Sequence, residues 1–164
     1  MGGNTTGNIT YKRYVQDVNW HLLAAPVTSQ SIPAFVEVAG NAVTQSGSNY
    51  AVSYYKNTNS AGKYWMYHSA NPTEENQETL TSFIAGRGYR MKRAAAGEYT
   101  FTGTMANTDV SVTIPTTSTN GTASAYFRSA IANPFPSFLS VSDILTSDNL
   151  IALGDAFAFL YFGM

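Results

Sequence analysis

The stretch Gly86-Arg-Gly-Tyr-Arg-Met-Lys-Arg-Ala-Ala-Ala-Gly-Glu-Tyr-Thr-Phe-Thr-Gly-Thr104 decides how this chain is read. Side chains alternate between the two faces of a strand. Tyr89, Met91 and Arg93 therefore share one face of a first run, and Tyr99, Phe101 and Gly103 share one face of a second. Small residues separate the runs, which predicts a turn and, with it, a β-hairpin. Four of the nine basic residues (Arg87, Arg90, Lys92 and Arg93) fall inside the stretch. The hairpin thus combines core-type aromatics with a local positive charge.

The totals agree with a chain built from such units. The 164 residues suffice for one domain with a real core. Charged residues make up 12%, about half the usual share, so Ser, Thr and Asn must supply the polar surface. Aromatics reach 13%, with 11 Tyr and 9 Phe, a composition suited to pleated, half-buried surfaces. A net charge of −1 provides no field to attract nucleic acid. The absence of cysteine excludes disulfides, thiolate metal sites and a cysteine nucleophile. No apolar run is long enough for a membrane-spanning helix.

Residues 1–10, rich in Gly, Thr and Asn, read as a flexible linker without the pattern of a secretory signal. Residues 11–164 then form a single β-sandwich domain. Two strands are expected between Tyr11 and Val27, the second ending near Pro26 at an edge or corner. Ser31 before Ile32-Pro33 predicts a short capped helix. Residues 50–68 form a second hairpin, in which Tyr50, Val52 and Tyr54 share a face, as do Trp65 and Tyr67. Residues 69–81 read as a polar loop or short solvated helix. Val110, Val112 and Ile114 alternate as a strand over 108–114, Asn120-Gly121 marks a hairpin turn, and a further strand covers 124–131. A short helix over 139–153 and an apolar strand over 156–162 complete the chain. Nine or so strands with little helix predict an all-β, antiparallel sandwich of jelly-roll-like form.

Four segments in order resemble a known family. They are Trp20-His-Leu-Leu-Ala-Ala-Pro-Val27, Gly86-Arg-Gly-Tyr89, Tyr99-Thr-Phe-Thr-Gly-Thr104 and Phe127-Arg-Ser-Ala-Ile-Ala-Asn-Pro-Phe-Pro-Ser137. Together they are similar to signposts of a β-rich extracellular domain in Bacteroidetes surface proteins exported by the type IX secretion system, where it lies upstream of the sorting domain. Arg128 departs from the family's Trp and Ala132 from its Gly. The resemblance covers roughly residues 19–160. It implies an extracellular or outer-surface accessory domain of adhesins and polysaccharide-degrading enzymes, with no agreed catalytic activity. The family's domain continues past the strand matching 156–162. This implies either truncation at the C-terminus or a last strand that pairs with another chain.

No catalytic constellation stands out. His21 and His68 are too few for a metal site. His21, alternating with Trp20 and Leu22, is expected to face solvent. Glu74, Glu75 and Glu78 read as a solvated patch, and no Gly-x-Ser-x-Gly elbow is present. No cofactor is expected, and a structural calcium held by backbone carbonyls would leave no sequence trace. The stronger signal is Tyr54, Tyr55, Tyr64, Trp65 and Tyr67. Alternation forces one member of each adjacent pair outward. With Trp65 taken as a core anchor, Tyr55 and Tyr64 become the candidates to stack on sugar rings. Arg87 and Arg90 are candidates to grip a uronate or sulfate. The expected partner is a glycan or a cell-surface protein; the alternative is a structural or assembly domain that self-associates through its C-terminal strand.

Overall fold

The computed structural model describes residues 7–56, 63–113, 129–135 and 140. Over these the chain is all-β, with β1 (Asn8–Val15), β2 (His21–Leu23), β3 (Gln45–Ser46), β4 (Asn49–Tyr55), β5 (Trp65–Ser69), β6 (Gln77–Glu78), β7 (Tyr89–Met91) and β8 (Gly97–Thr104). The helix α1 (Ile32–Glu37) and a 3-10 turn (Ala39–Asn41) lie between β2 and β3. One layer is the antiparallel pair β1–β8. The other is a six-stranded sheet in the order β2-β7-β4-β5-β6, with β3 on β4. Among the described residues no helix is long and apolar enough to cross a membrane.

The strands of 86–104 form, but they do not make a hairpin. β7 lies between β2 and β4, whereas β8 pairs along its whole length with β1. The small residues 94–96 carry the chain from one sheet to the other. As one hairpin, Tyr89, Met91, Tyr99 and Phe101 would all lie on one sheet's face and need a cover. Split between layers, they face each other. Phe35 from α1 and Phe83 fill the space between. Phe35 packs 5.0 Å from Phe101 and 5.1 Å from Phe83, and Phe83 meets Tyr89 edge-on at 4.9 Å. Val27, Ile32, Val52 and Met91 close the same core.

The start of α1 follows its sequence signal, with the Ser31 hydroxyl accepting from Ala34 N–H at 3.2 Å and Pro33 in the first turn. The β4–β5 hairpin also forms, Tyr54 opposite Met66 and Tyr55 opposite Trp65. Proline 26 follows β2, an edge strand of its sheet among the described residues.

Several boundaries differ from expectation. Asn8–Thr10, assigned to the linker, already pair with Thr104–Thr102, because Ile9 packs against the core. No strand forms over 108–113. Val110 and Val112 instead lie over Gly86, their γ-carbons occupying the space a Cβ there would need. From the expected strand 124–131, Ile131 forms a single bridge to Arg87, flanked by Gly88 N–H to Ala130 O and Ala132 N–H to Gly86 O. Of the two forms expected for 69–81 the loop is the one found, but it is interrupted by β6, which runs parallel to β5. The hairpin turn at Asn120-Gly121, the helix over 139–153 and the strand over 156–162 lie outside the described residues.

One buried charge braces the crossing. Arg93 is 4% exposed and, among the described residues, has no carboxylate beside it. Its guanidinium donates to four backbone carbonyls: Nε to Ala95, Nη1 to Asn41 and Glu98, and Nη2 to Gly40. Alternation puts Arg93 on the face of Tyr89 and Met91, so it is part of the core and adds nothing to a basic surface.

Candidate functional site

The outward face of the six-stranded sheet collects the aromatic side chains. Registers place Leu22 opposite Arg90, Arg90 opposite Ser53, Ser53 opposite Tyr67 and Tyr67 opposite Gln77. These residues make one row across the outer surface. Tyr55 and Trp65 lie in the neighbouring row. Trp20, just before β2, lies on the other side. The opposite face of β4, β5 and β7 carries Val52, Met66, Tyr89 and Met91 into the core.

Arg90 organises this face. Its guanidinium carbon lies 4.4 Å from the Trp20 ring and 4.4 Å from the Trp65 ring, so the cation sits between two indoles. Its Nη2 donates to the Tyr67 hydroxyl. Beneath it the fully buried Ser53 donates to the Arg90 carbonyl at 3.3 Å. Tyr55 stacks on Tyr64 at 5.6 Å and meets Trp65 edge-on at 5.4 Å. Trp20 meets Tyr67 edge-on at 6.0 Å. Trp20 is 41% exposed and Leu22 38%, so the patch opens to solvent at the β2 edge.

Beside Trp20 and Tyr67 lies a groove of about 290 Å³, walled by Thr44, Asn49, Asn76, Gln77 and Lys92 among others. Thr44 Oγ1, Asn49 Oδ1 and Asn76 Oδ1 are shut off from solvent without a hydrogen-bond partner among the described residues. A second, larger space of about 480 Å³, near Gly7, Thr28 and Thr104, has no aromatic or charged side chain in its lining.

Three of the four sequence candidates, Tyr55, Tyr64 and Arg90, meet on this face. Arg87 does not join them; its guanidinium lies 4.5 Å over the Tyr54 ring. The Tyr54 hydroxyl donates to Glu78 at 2.9 Å. Burial, then the Glu78 carboxylate, raises the Tyr54 phenol above its ordinary range. Glu78 is therefore tied in, not part of a solvated patch, while Glu75 pairs with Lys63 at 3.4 Å. The Arg90 reading changes too. Two indoles crowd its guanidinium, Nη2 is engaged by Tyr67 and Nε is sealed without a partner, so its Nε edge offers no fork to an anion.

Two phase assignments reverse. Trp65, taken as a core anchor, is half-buried on the outer face, while Met66 and His68 point inward. His68 is 2% exposed; its Nδ1 accepts from Leu80 N–H at 3.2 Å, and burial lowers its pKa. His21, expected to face solvent, is partly covered and pairs with Asp17 at 2.9 Å. Asn19's hydrogen bonds, with His21's weaker contribution, hold the Asp17 carboxyl below its usual value.

Trp20 and the polar groove walls were not singled out by sequence. Trp20 stands in a Trp-His-Leu-Leu run whose alternation fits either phase, since one leucine faces the core and the other solvent. Thr44, Asn49 and Asn76 come from three segments with no local signature. Among the described residues no three His, Asp or Glu side chains gather as metal ligands. No family model, curated protein or solved structure matches this chain.

Proposed function

We propose that the chain is a non-catalytic accessory domain of a secreted or cell-surface protein, and that it binds glycan through the outer face of its six-stranded sheet. One observation carries the reading: Trp20, Trp65, Tyr55, Tyr64 and Tyr67 gather around Arg90 on a face turned away from the core. Rings held by packing and by a sandwiched cation present flat apolar area at little entropic cost, as stacking on pyranose faces requires. The resemblance to the β-rich domain of type IX-exported Bacteroidetes proteins supports an extracellular location and a role in adhesion or polysaccharide attachment.

Glycan-array and affinity-gel measurements on the wild type, Trp20→Ala and Tyr55→Ala test this. Retention by at least one glycan, weakened in Trp20→Ala, is expected. Failure of the wild type on every neutral and acidic glycan would sink the proposal.

A second reading, assembly through strand addition, draws on the layer β1–β8, which has two strands among the described residues. Strand edges recruit strands from other chains. Light scattering with and without residues 156–164 separates the readings. Self-association that disappears on truncation favours assembly, and a monomer in both cases removes it.

A further inference from the structure

We infer that the groove beside Trp20 is a subsite for an uncharged sugar ring, whose apolar face lies against Trp20 and Tyr67 while its hydroxyls hydrogen-bond to the side-chain amides of Asn49 and Asn76. This rests on the glycan-binding reading and adds the position and the charge class of the ligand.

Three independent features converge on the groove. The first is its wall. Trp20 and Tyr67 meet edge-on at 6.0 Å, interplanar angle 64°, making a corner rather than a flat plate. A ring set against one indole therefore has a second aromatic beside it. The Tyr67 oxygen accepts from Arg90, which leaves its own O–H as a donor. The cavity of about 290 Å³ lies at the lower end of the roughly 300–1,000 Å³ of small-molecule sites, which suits a single ring.

The second is unmet polarity. Thr44 Oγ1, Asn49 Oδ1 and Asn76 Oδ1 all belong to residues lining this one groove, yet each is buried without a partner. Orphaned buried oxygens are rare because each forfeits its hydration. Their residues come from three separate segments: Thr44 next to β3, Asn49 at the head of β4, and Asn76 just before β6. For the two asparagines a half-turn about the terminal torsion exchanges the sealed Oδ1 with Nδ2, so each amide can present either an acceptor or two donors to the groove. Such an amide is best met by a group that can both donate and accept. Sugar hydroxyls do both, whereas ionised carboxylate and sulfate groups only accept.

The third is charge. Lys92 and Glu74 both line the groove, so their formal charges cancel. Arg90 is not part of the groove lining; its guanidinium is packed against Trp20 and Trp65 and its Nε is sealed. The groove lining therefore offers an anion no net positive charge.

The test is an amide and indole NMR titration of the full chain with hexaoses of glucose and mannose and with hexagalacturonate, each at millimolar concentration. The neutral oligomers are expected to shift the Asn49 and Asn76 side-chain amides and the Trp20 indole N–H. Hexagalacturonate should bind at least about tenfold more weakly. Asn76→Ala and Asn49→Leu should each weaken neutral binding about tenfold, equivalent to about 1.4 kcal/mol. The wild-type shift map stands whether or not a variant folds. Shifts confined to Tyr55 and Tyr64 would overturn the groove assignment and leave the glycan reading standing. Hexagalacturonate binding as tightly as the neutral hexaoses would overturn the charge class. No shift with any oligomer would remove the glycan reading and this inference together.

Discussion

Replacing Arg93 by methionine is expected to be among the most damaging single changes in the chain. The substitution keeps the apolar stem and removes the guanidinium. Four of the five guanidinium N–H donors are used, and all go to backbone carbonyls. Three of these carbonyls belong to residues open to solvent, namely Gly40, Ala95 and Glu98, and water can replace the lost donor there. Each such exchange costs about 1 kcal/mol net. The fourth belongs to Asn41, which is 0% exposed. Leaving that carbonyl orphaned costs about 1–3 kcal/mol more. The sum is about 4–6 kcal/mol, against a total stability on the order of 5–15 kcal/mol. For a chain of this length that lowers Tm by roughly 8–24 °C. Arg93→Lys offers at most three donors from one point and should lose about half as much. Urea denaturation followed by tryptophan fluorescence measures both. A loss below about 1 kcal/mol for Arg93→Met would refute the idea that the cation braces the crossing from β7 to β8.

Two further outcomes follow from buried groups. His68 is neutral in the fold because burial lowers its pKa, while in the unfolded chain it protonates near the ordinary value of 6.5. Its contribution to stability is therefore complete above that pH and is lost as pH falls through the folded value. Thermal melts between about pH 7.5 and 5 should show Tm falling for the wild type and falling less for His68→Gln; equal slopes would contradict the assignment. At Gly103 an added Cβ would lie 2.5 Å from the Thr28 carbonyl oxygen and 3.2 Å from Val27 Cβ. Gly103→Ala must push the 27–28 segment off β8, straining the 2.7 Å bond from Thr28 N–H to the Thr104 carbonyl. The expected cost is about 1–3 kcal/mol. Gly40→Ala meets open space and serves as the control. Equal melting temperatures for the two variants would mean that the close approach at Gly103 does not exist.

The candidate face was partly legible. Clustered aromatics around Tyr55, Tyr64 and Trp65 marked β4 and β5 as its carriers, and Arg90 was named with them. Its centre was not legible, because Arg90 reaches Trp20 from β7 across a strand boundary that no local pattern encodes. Arg87, three residues earlier, looked equivalent in sequence. It ends beside Tyr54 instead, because an odd spacing sends the two side chains to opposite faces of an extended segment. The groove behind Trp20 was invisible for a related reason: its polar walls are supplied by turns and strand ends brought together only by the pairing of β4 with β3, β5 and β7.

Local alternation, available in the sequence alone, determined that the chain is all-β, that Tyr89, Met91, Arg93, Tyr99, Phe101 and Gly103 turn to the core side, and that Ser31 caps a short helix. Each depends on neighbours within a few residues, where the two-residue period and the capping geometry act directly. Tertiary structure decided which strands pair. It sent β7 and β8 to different layers, put Trp20 and Trp65 together on the outer face around Arg90, and gave the core-side Arg93 its four backbone acceptors. Pairing rests on contacts distant in sequence, and loop length adds only slowly to the cost of closing such contacts. Several partnerships therefore satisfy the same local pattern. The one adopted lets two aromatic faces meet across a single core with Phe35 and Phe83 between them.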